Sequence, residues 1–228
     1  MAKRYKHLLF DADNTLLDFN KTEDHALALT FRHFGIHLSP EIRALYDEIN
    51  RGLWQDFEAG LIDKDTVVDT RFSLLFKDLE IDADGAAFEA YYQPALGAGA
   101  FLLPGARKLC QILAADHDLY IVTNGVSATQ YSRLAATGLD QIVKDIFVSE
   151  DLGSQKPQKA YFDQVFARIP GFSRDSALII GDSLTSDIAG GIASGIDSCW
   201  YNPRGLPGNP AFAATYEITA LEDLLSIL

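Results

Sequence analysis

The chain has 228 residues, 48% of them apolar, and 19 Lys and Arg stand against 32 Asp and Glu for a formal net charge of −13. That size can bury a full core, as one large domain or as one domain carrying a smaller inserted one. The charge argues against a nucleic-acid polymer or an anionic membrane as partner, so an anionic substrate would need local cations or a metal to overcome the field.

The first predicted strand is Tyr5 to Phe10. The basic residues before it are followed by only three apolar ones, Leu8 to Phe10, ahead of Asp11, which is too short for a signal peptide, and no apolar run of about 18 residues could span a membrane. A cytoplasmic protein is expected. The strand ends in two carboxylates, Asp11 and Asp13, then Asn14 and Thr15. Apolar residues on both faces of a strand suit a parallel sheet covered by helices, and the carboxyl ends of such strands are where open α/β sheets bind ligands.

From Lys21 to about Ala95 the apolar spacing is helical, as in Ala26, Leu29, Thr30 and Phe34. Ser39-Pro40-Glu41 reads as a helix start, Glu58-Ala59-Gly60 as an end, and Asp63 and Asp84 as two further starts. About four helices result. After Pro94 the breakers Gly97, Gly99, Pro104 and Gly105 lead into an alternation of strands and helices. Helices are expected over 106–114, 128–137, 158–169 and 188–193, and strands over 119–123, 146–148, 177–180 and 198–201. This predicts an α/β fold, a Rossmann-like doubly wound parallel sheet with an inserted α-helical cap domain. The core takes residues 1–17 and 100–228 and the cap 18–99, with candidate hinges near 18–22 and 95–102. Cys110 and Cys199, far apart in apolar segments, read as buried thiols.

Later strand ends carry polar signatures: Thr123-Asn124-Gly125, Lys156-Pro157, and Gly181-Asp182 followed by Asp187. Taken singly, each has a plainer reading: a turn for Thr123-Asn124, a solvated side chain for Lys156, a helix cap for Asp187. Together they lie on the sheet edge that carries Asp11. Clustered carboxylates cannot all stay ionised without a cation, and oxygen ligands of this number suit Mg²⁺ with a phosphate. A carboxylate needs no deprotonation to attack phosphorus.

The order Asp11-x-Asp13, Thr123-Asn124, Lys156-Pro157 and Gly181-Asp182-x4-Asp187 resembles the four motifs of the haloacid dehalogenase superfamily, over the whole chain. The resemblance implies Asp11 as nucleophile and metal ligand, and Asp13 as general acid/base that offers its backbone carbonyl to Mg²⁺. It also implies Thr123, Asn124 and Gly125 at the phosphate, Lys156 steadying nucleophile and phosphate, Asp182 as metal ligand and Asp187 behind them. An acid at Asp13 marks a phosphatase, since halide departure needs no proton; a phosphomutase shares that acid. The phrases Asp11-Ala12-Asp13-Asn14-Thr15-Leu16, Leu53-Trp54-Gln55-Asp56-Phe57 and Asp187-Ile188-Ala189-Gly190-Gly191-Ile192 with Cys199-Trp200 resemble the house-cleaning pyrimidine 5′-nucleotidases. The expected substrate is then a small phosphorylated metabolite, a pyrimidine nucleoside monophosphate. Alternatives are a phosphatase for sugar phosphates or phosphoglycolate and a capped binding protein without turnover. In caps of this kind the turn at 58–62 faces the site, which makes Gly60, Trp54, Phe19 and Arg71 specificity candidates, against core aromatics and an ordinary ion pair.

Overall fold

A computed structural model describes residues 5–228; the basic Lys3 and Arg4 lie outside the described residues. The chain divides into two compact units, residues 5–19 with 100–228, and residues 20–99.

In the first unit, β1 (His7–Phe10) is wholly buried, with Leu8 and Phe10 on one face and Leu9 beside a buried His7 on the other. It pairs in parallel with β2 (Asp118–Thr123) on one side and with β4 (Ala177–Gly181) on the other. Beyond them come β3 (Asp145–Val148), β5 (Asp197–Tyr201) and β6 (Tyr216–Ile218), in the order β3-β2-β1-β4-β5-β6. All the pairings are parallel. β1 therefore sits where the strand order reverses, and every carboxyl end opens on one edge.

Alternation along each strand divides the core. Leu8, Phe10, Ile121 and Ile180 pack with Leu109 and Cys110 of α5 (Ala106–Leu113) and Leu134 of α6 (Ser127–Thr137). Leu9, Val122 and Ile179 pack on the other face, with Tyr161, Phe162 and Val165 of the later helix over 159–168. Cys110 and Cys199 are free buried thiols, both pushed up to about 12 by burial.

The second unit is helical. α1 (Phe19–His33) leads into it, and α2 (Pro40–Glu58), α3 (Lys64–Asp78) and α4 (Gly85–Ala98) complete it. Ser39, Asp63 and Asp84 cap the last three, each accepting from a backbone N–H of the first turn. Its core is aromatic, with Phe31, Tyr46, Phe72, Phe88 and Tyr92 in mutual ring contact. α4 runs on through Pro94, where the breaker pattern predicts a change, because buried Leu96 and Gly97 hold the last turn in place. Buried Arg71 reaches Glu89 from Nε at 2.8 Å and from Nη2, and Asn50 from Nη1 at 3.3 Å.

Among the described residues, no helix is long and apolar enough to cross a membrane. Among the parts of the first unit that lie outside the predicted elements are β6, α7 (Ser149–Leu152), a short helix over Leu224–Ile227 and most of a π turn at Leu184–Ile188 ahead of a helix over 189–194.

Candidate active site

Asp11, Thr123 and Asp182 sit within a residue of the ends of β1, β2 and β4, whereas Lys156 follows β3 only after α7 and the loop behind it. The Asp11 N–H donates to the Ile180 carbonyl at 2.9 Å, so the β1–β4 ladder extends one residue past β1 and fixes Asp11 against the Gly181-Asp182 tip. Lys156 lies beneath both. Its side chain is buried, and Nζ donates to Asp11 Oδ1 at 2.7 Å, Asp187 Oδ1 at 2.7 Å and the Val122 carbonyl at 2.8 Å. An ammonium has three N–H donors, and all are taken here.

Asn124 works on Lys156. Its Oδ1 accepts the Lys156 N–H at 3.0 Å and its Nδ2 donates to the Lys156 carbonyl at 2.9 Å. The amide that sequence reading assigns to phosphate is thus engaged in clamping the lysine loop. Thr123 keeps its hydroxyl proton free for a ligand, because Oγ1 already accepts from the Gly125 N–H at 3.2 Å and from Gln130 Nε2 at 2.7 Å.

Asp187 is no helix cap. It lies in the π turn, where Ser183 is the cap residue, and its Oδ2 accepts the Ser183 N–H at 3.1 Å. Gly181 makes this possible: a β-carbon there would overlap the Asp187 carboxyl. Asp182 has its backbone carbonyl held by the Trp200 indole N–H at 2.9 Å. Asp13, whose side chain is 27% exposed, pairs with Arg133.

Asp11, Asp182 and Asp187 can each bring an oxygen within 4.8 Å of the others. Burial, then the Lys156 charge acting against it and the neighbouring carboxylates acting with it, leaves the Asp11 carboxyl well above its usual range. Asp182 is pushed up to about 7, by burial first and Asp187 second. Burial disfavours the Lys156 ammonium, yet Asp11 and Asp187 more than offset that and raise it. Four carboxylates, Asp11, Asp13, Asp182 and Asp187, face two buried cations, Lys156 and Arg133. The surplus equals the charge of one divalent cation. All three clustered side chains offer hard oxygen, so the donor set fits Mg²⁺.

Sequence reasoning missed Gln130 and Arg133, which hold Asp13. A usable signal existed: both fall on the buried face of α6 with Leu134, where a polar residue needs a partner. The specificity candidates divide. Arg71 is corrected to a core residue, because its charge is spent on Glu89 inside the helical unit and it is only 2% exposed. Trp54 is half-buried, edge-on to Phe57 at 5.6 Å between centroids. Gly60 is an exposed turn residue at φ 73°, and the Phe19 ring lies under the Arg133 guanidinium at 5.6 Å.

A parallel sheet with acids, a lysine and hydroxyl donors gathered at its switch point defines a hydrolase of the kind that the motifs resemble. The family model for haloacid dehalogenase-like hydrolases matches residues 5–195, and the chain belongs to that family. It is similar to YfnB of Bacillus subtilis, whose magnesium-bound crystal structure is 53% identical, with a TM-score of 0.95 over 99% of both chains. It is also 41% identical to the pyrimidine 5′-nucleotidase PynA of Streptococcus pneumoniae, over 98% of this chain and 95% of that protein. Identity to the pyrimidine 5′-nucleotidase YjjG of Escherichia coli is 30%, over 99% and 98%.

Proposed function

We propose that the chain is a Mg²⁺-dependent phosphomonoester hydrolase that works through a phosphoryl group on Asp11 and acts on pyrimidine nucleoside 5′-monophosphates. The observation that carries this reading is the Asp11 carboxylate, buried beside Lys156 and Asp182 with Asp13 two residues on. Asp11 attacks phosphorus as the ester P–O bond breaks, and the departing oxygen takes a proton from Asp13. Water then attacks the phosphoryl group, gives a proton to Asp13, and the bond to Asp11 breaks to restore the carboxylate. The Thr123 hydroxyl donates to the phosphoryl oxygens. Lys156 offsets part of the negative charge of Asp11 and Asp187, which lessens the repulsion that a dianionic phosphate meets. Bound through Asp11, Asp182 and the Asp13 backbone carbonyl, with Asp187 in support, Mg²⁺ supplies the positive charge that stabilises the transferring oxygens.

The pyrimidine assignment rests on similarity to two nucleotidases along nearly the whole chain. On a panel of phosphomonoesters with Mg²⁺, kcat/KM for dUMP and related pyrimidine monophosphates should exceed that for sugar phosphates and phosphoglycolate by about tenfold or more, about 1.4 kcal/mol of transition-state preference. The reverse order would favour a sugar-phosphate enzyme and retire the nucleotide reading.

The metal has a test that needs no turnover. At 100 times its Kd, Mg²⁺ should stabilise the fold by about 2.7 kcal/mol. Asp182→Asn removes one charge from the buried cluster, so without metal its melting temperature should equal or exceed that of the wild type, and the gain from Mg²⁺ should vanish. A Mg²⁺ gain that survives in Asp182→Asn would place the ion elsewhere.

A further inference from the structure

Helix α6 follows the Thr123 tip and turns Gln130 and Arg133, one turn apart, onto its buried face. Nη1 of Arg133 donates to Asp13 Oδ1 at 2.5 Å and to Gln130 Oε1 at 3.1 Å. Nε2 of Gln130 donates to Asp13 Oδ2 at 2.8 Å and to Thr123 Oγ1 at 2.7 Å. Each Asp13 oxygen therefore has its own donor on a side chain that is itself buried. Arg133 is wholly buried, yet its Nε and Nη2 have no hydrogen-bond partner. Burying a guanidinium with N–H groups unmet is unfavourable. The carboxylate partner of Arg133 is Asp13, and its guanidinium also lies over the Phe19 ring at 5.6 Å.

The geometry points to Arg133 and Gln130 as a positioning pair that sets the Asp13 carboxyl for proton transfer and, through the single Gln130 amide, ties it to the Thr123 hydroxyl. The inference rests on the phosphatase reading above and adds two residues to it. Asp13 serves twice, giving a proton to the ester oxygen as that P–O bond breaks and taking one from the water that forms the new bond. Both transfers need the carboxyl within hydrogen-bond reach. Neither Arg133 nor Gln130 has to touch the substrate. Their part is to hold Asp13 where a small misplacement is expensive, and Gln130 also fills an acceptor site on Thr123 so that the hydroxyl proton points outward.

Rapid-mixing kinetics with p-nitrophenyl phosphate and with an alkyl phosphomonoester, in Mg²⁺, test this on Arg133→Met, Arg133→Lys and Gln130→Met. Nitrophenolate leaves without a proton, so Arg133→Met should release it in the first turnover at a rate close to wild type. Its steady state, which needs Asp13 as base, should fall about 100-fold, the loss a displacement of about 1 Å produces. On the alkyl ester both phases should slow. Arg133→Lys, which keeps a charged donor, should recover part of the loss, and Gln130→Met should also raise KM, because Thr123 loses a donor. A merely structural role would shrink the amplitude of the first turnover and leave the rate constants alone. That result, or steady-state rates unchanged in Arg133→Met, overturns the inference. Asp11→Asn run alongside separates the two levels: if it still turns over, the phosphoryl-enzyme reading falls and takes this inference with it. If it is inert while Arg133→Met matches wild type, only the positioning pair falls.

Discussion

Asp11→Asn is expected to lose steady-state hydrolysis by at least about 10³-fold, about 4 kcal/mol of barrier, while the protein remains folded. An amide oxygen can still accept the Lys156 bond that Asp11 Oδ1 accepts at 2.7 Å, and Lys156 retains Asp187 as counter-charge. The substitution also removes a charge that burial and its carboxylate neighbours already disfavour, so the metal-free fold should be no less stable. Activity and stability therefore part company, and the loss belongs to the chemistry. Incubation with a radiolabelled phosphomonoester, followed by acid quench, should label the wild type and leave the variant unlabelled. Activity within tenfold of wild type in Asp11→Asn would mean that another group attacks phosphorus.

Lys156→Met should fail in both respects. Removing one partner of a buried ion pair costs about 3–5 kcal/mol, and this lysine serves two carboxylates. At roughly 2–4 °C per kcal/mol for a chain of this size, the metal-free melting temperature should drop by about 10 °C. Mg²⁺ should restore part of it, as the remaining cation for Asp11 and Asp182. Lys156→Arg should not rescue activity, because the three acceptors around Nζ suit a compact ammonium and a planar guanidinium cannot meet all three. A variant with wild-type melting behaviour without metal would show that Asp11 and Asp187 do not depend on this charge.

Much of this arrangement was legible in the chain. Asp11, Thr123 and Asp182 sit at or just past apolar runs, and parallel pairing carries every run's end to one edge; Lys156 joins them from the loop that follows the third run. The helix starts at Ser39, Asp63 and Asp84 follow from capping, which is local. What could not be read depends on contacts between distant segments. The place of Gln130 and Arg133 on the Leu134 face of α6 marks them as needing partners, but that the partner is Asp13 emerges only when α6 is docked. The engagement of Asn124 with the Lys156 backbone spans 32 positions. β6 has three residues and no alternation of its own; its partner β5 makes it a strand. The π turn that turns Asp187 back toward Lys156 departs from helical period within a segment too short for periodicity to register.

The neck of the first unit carries one more consequence. Leu17 bridges Leu102 in antiparallel fashion, the Asp18 N–H donates to the Phe101 carbonyl at 3.0 Å, and the Leu103 N–H to the Leu16 carbonyl at 2.9 Å. The chain therefore departs and returns at a single zipped point. With those ends pinned together, the intervening length hardly burdens the sheet, since doubling a closed loop adds only about 0.6 kcal/mol of closure entropy. Residues 20–99 thus form a cassette in the topological sense. A change in its length therefore places little closure cost on the strand end that carries Asp11 and Asp13.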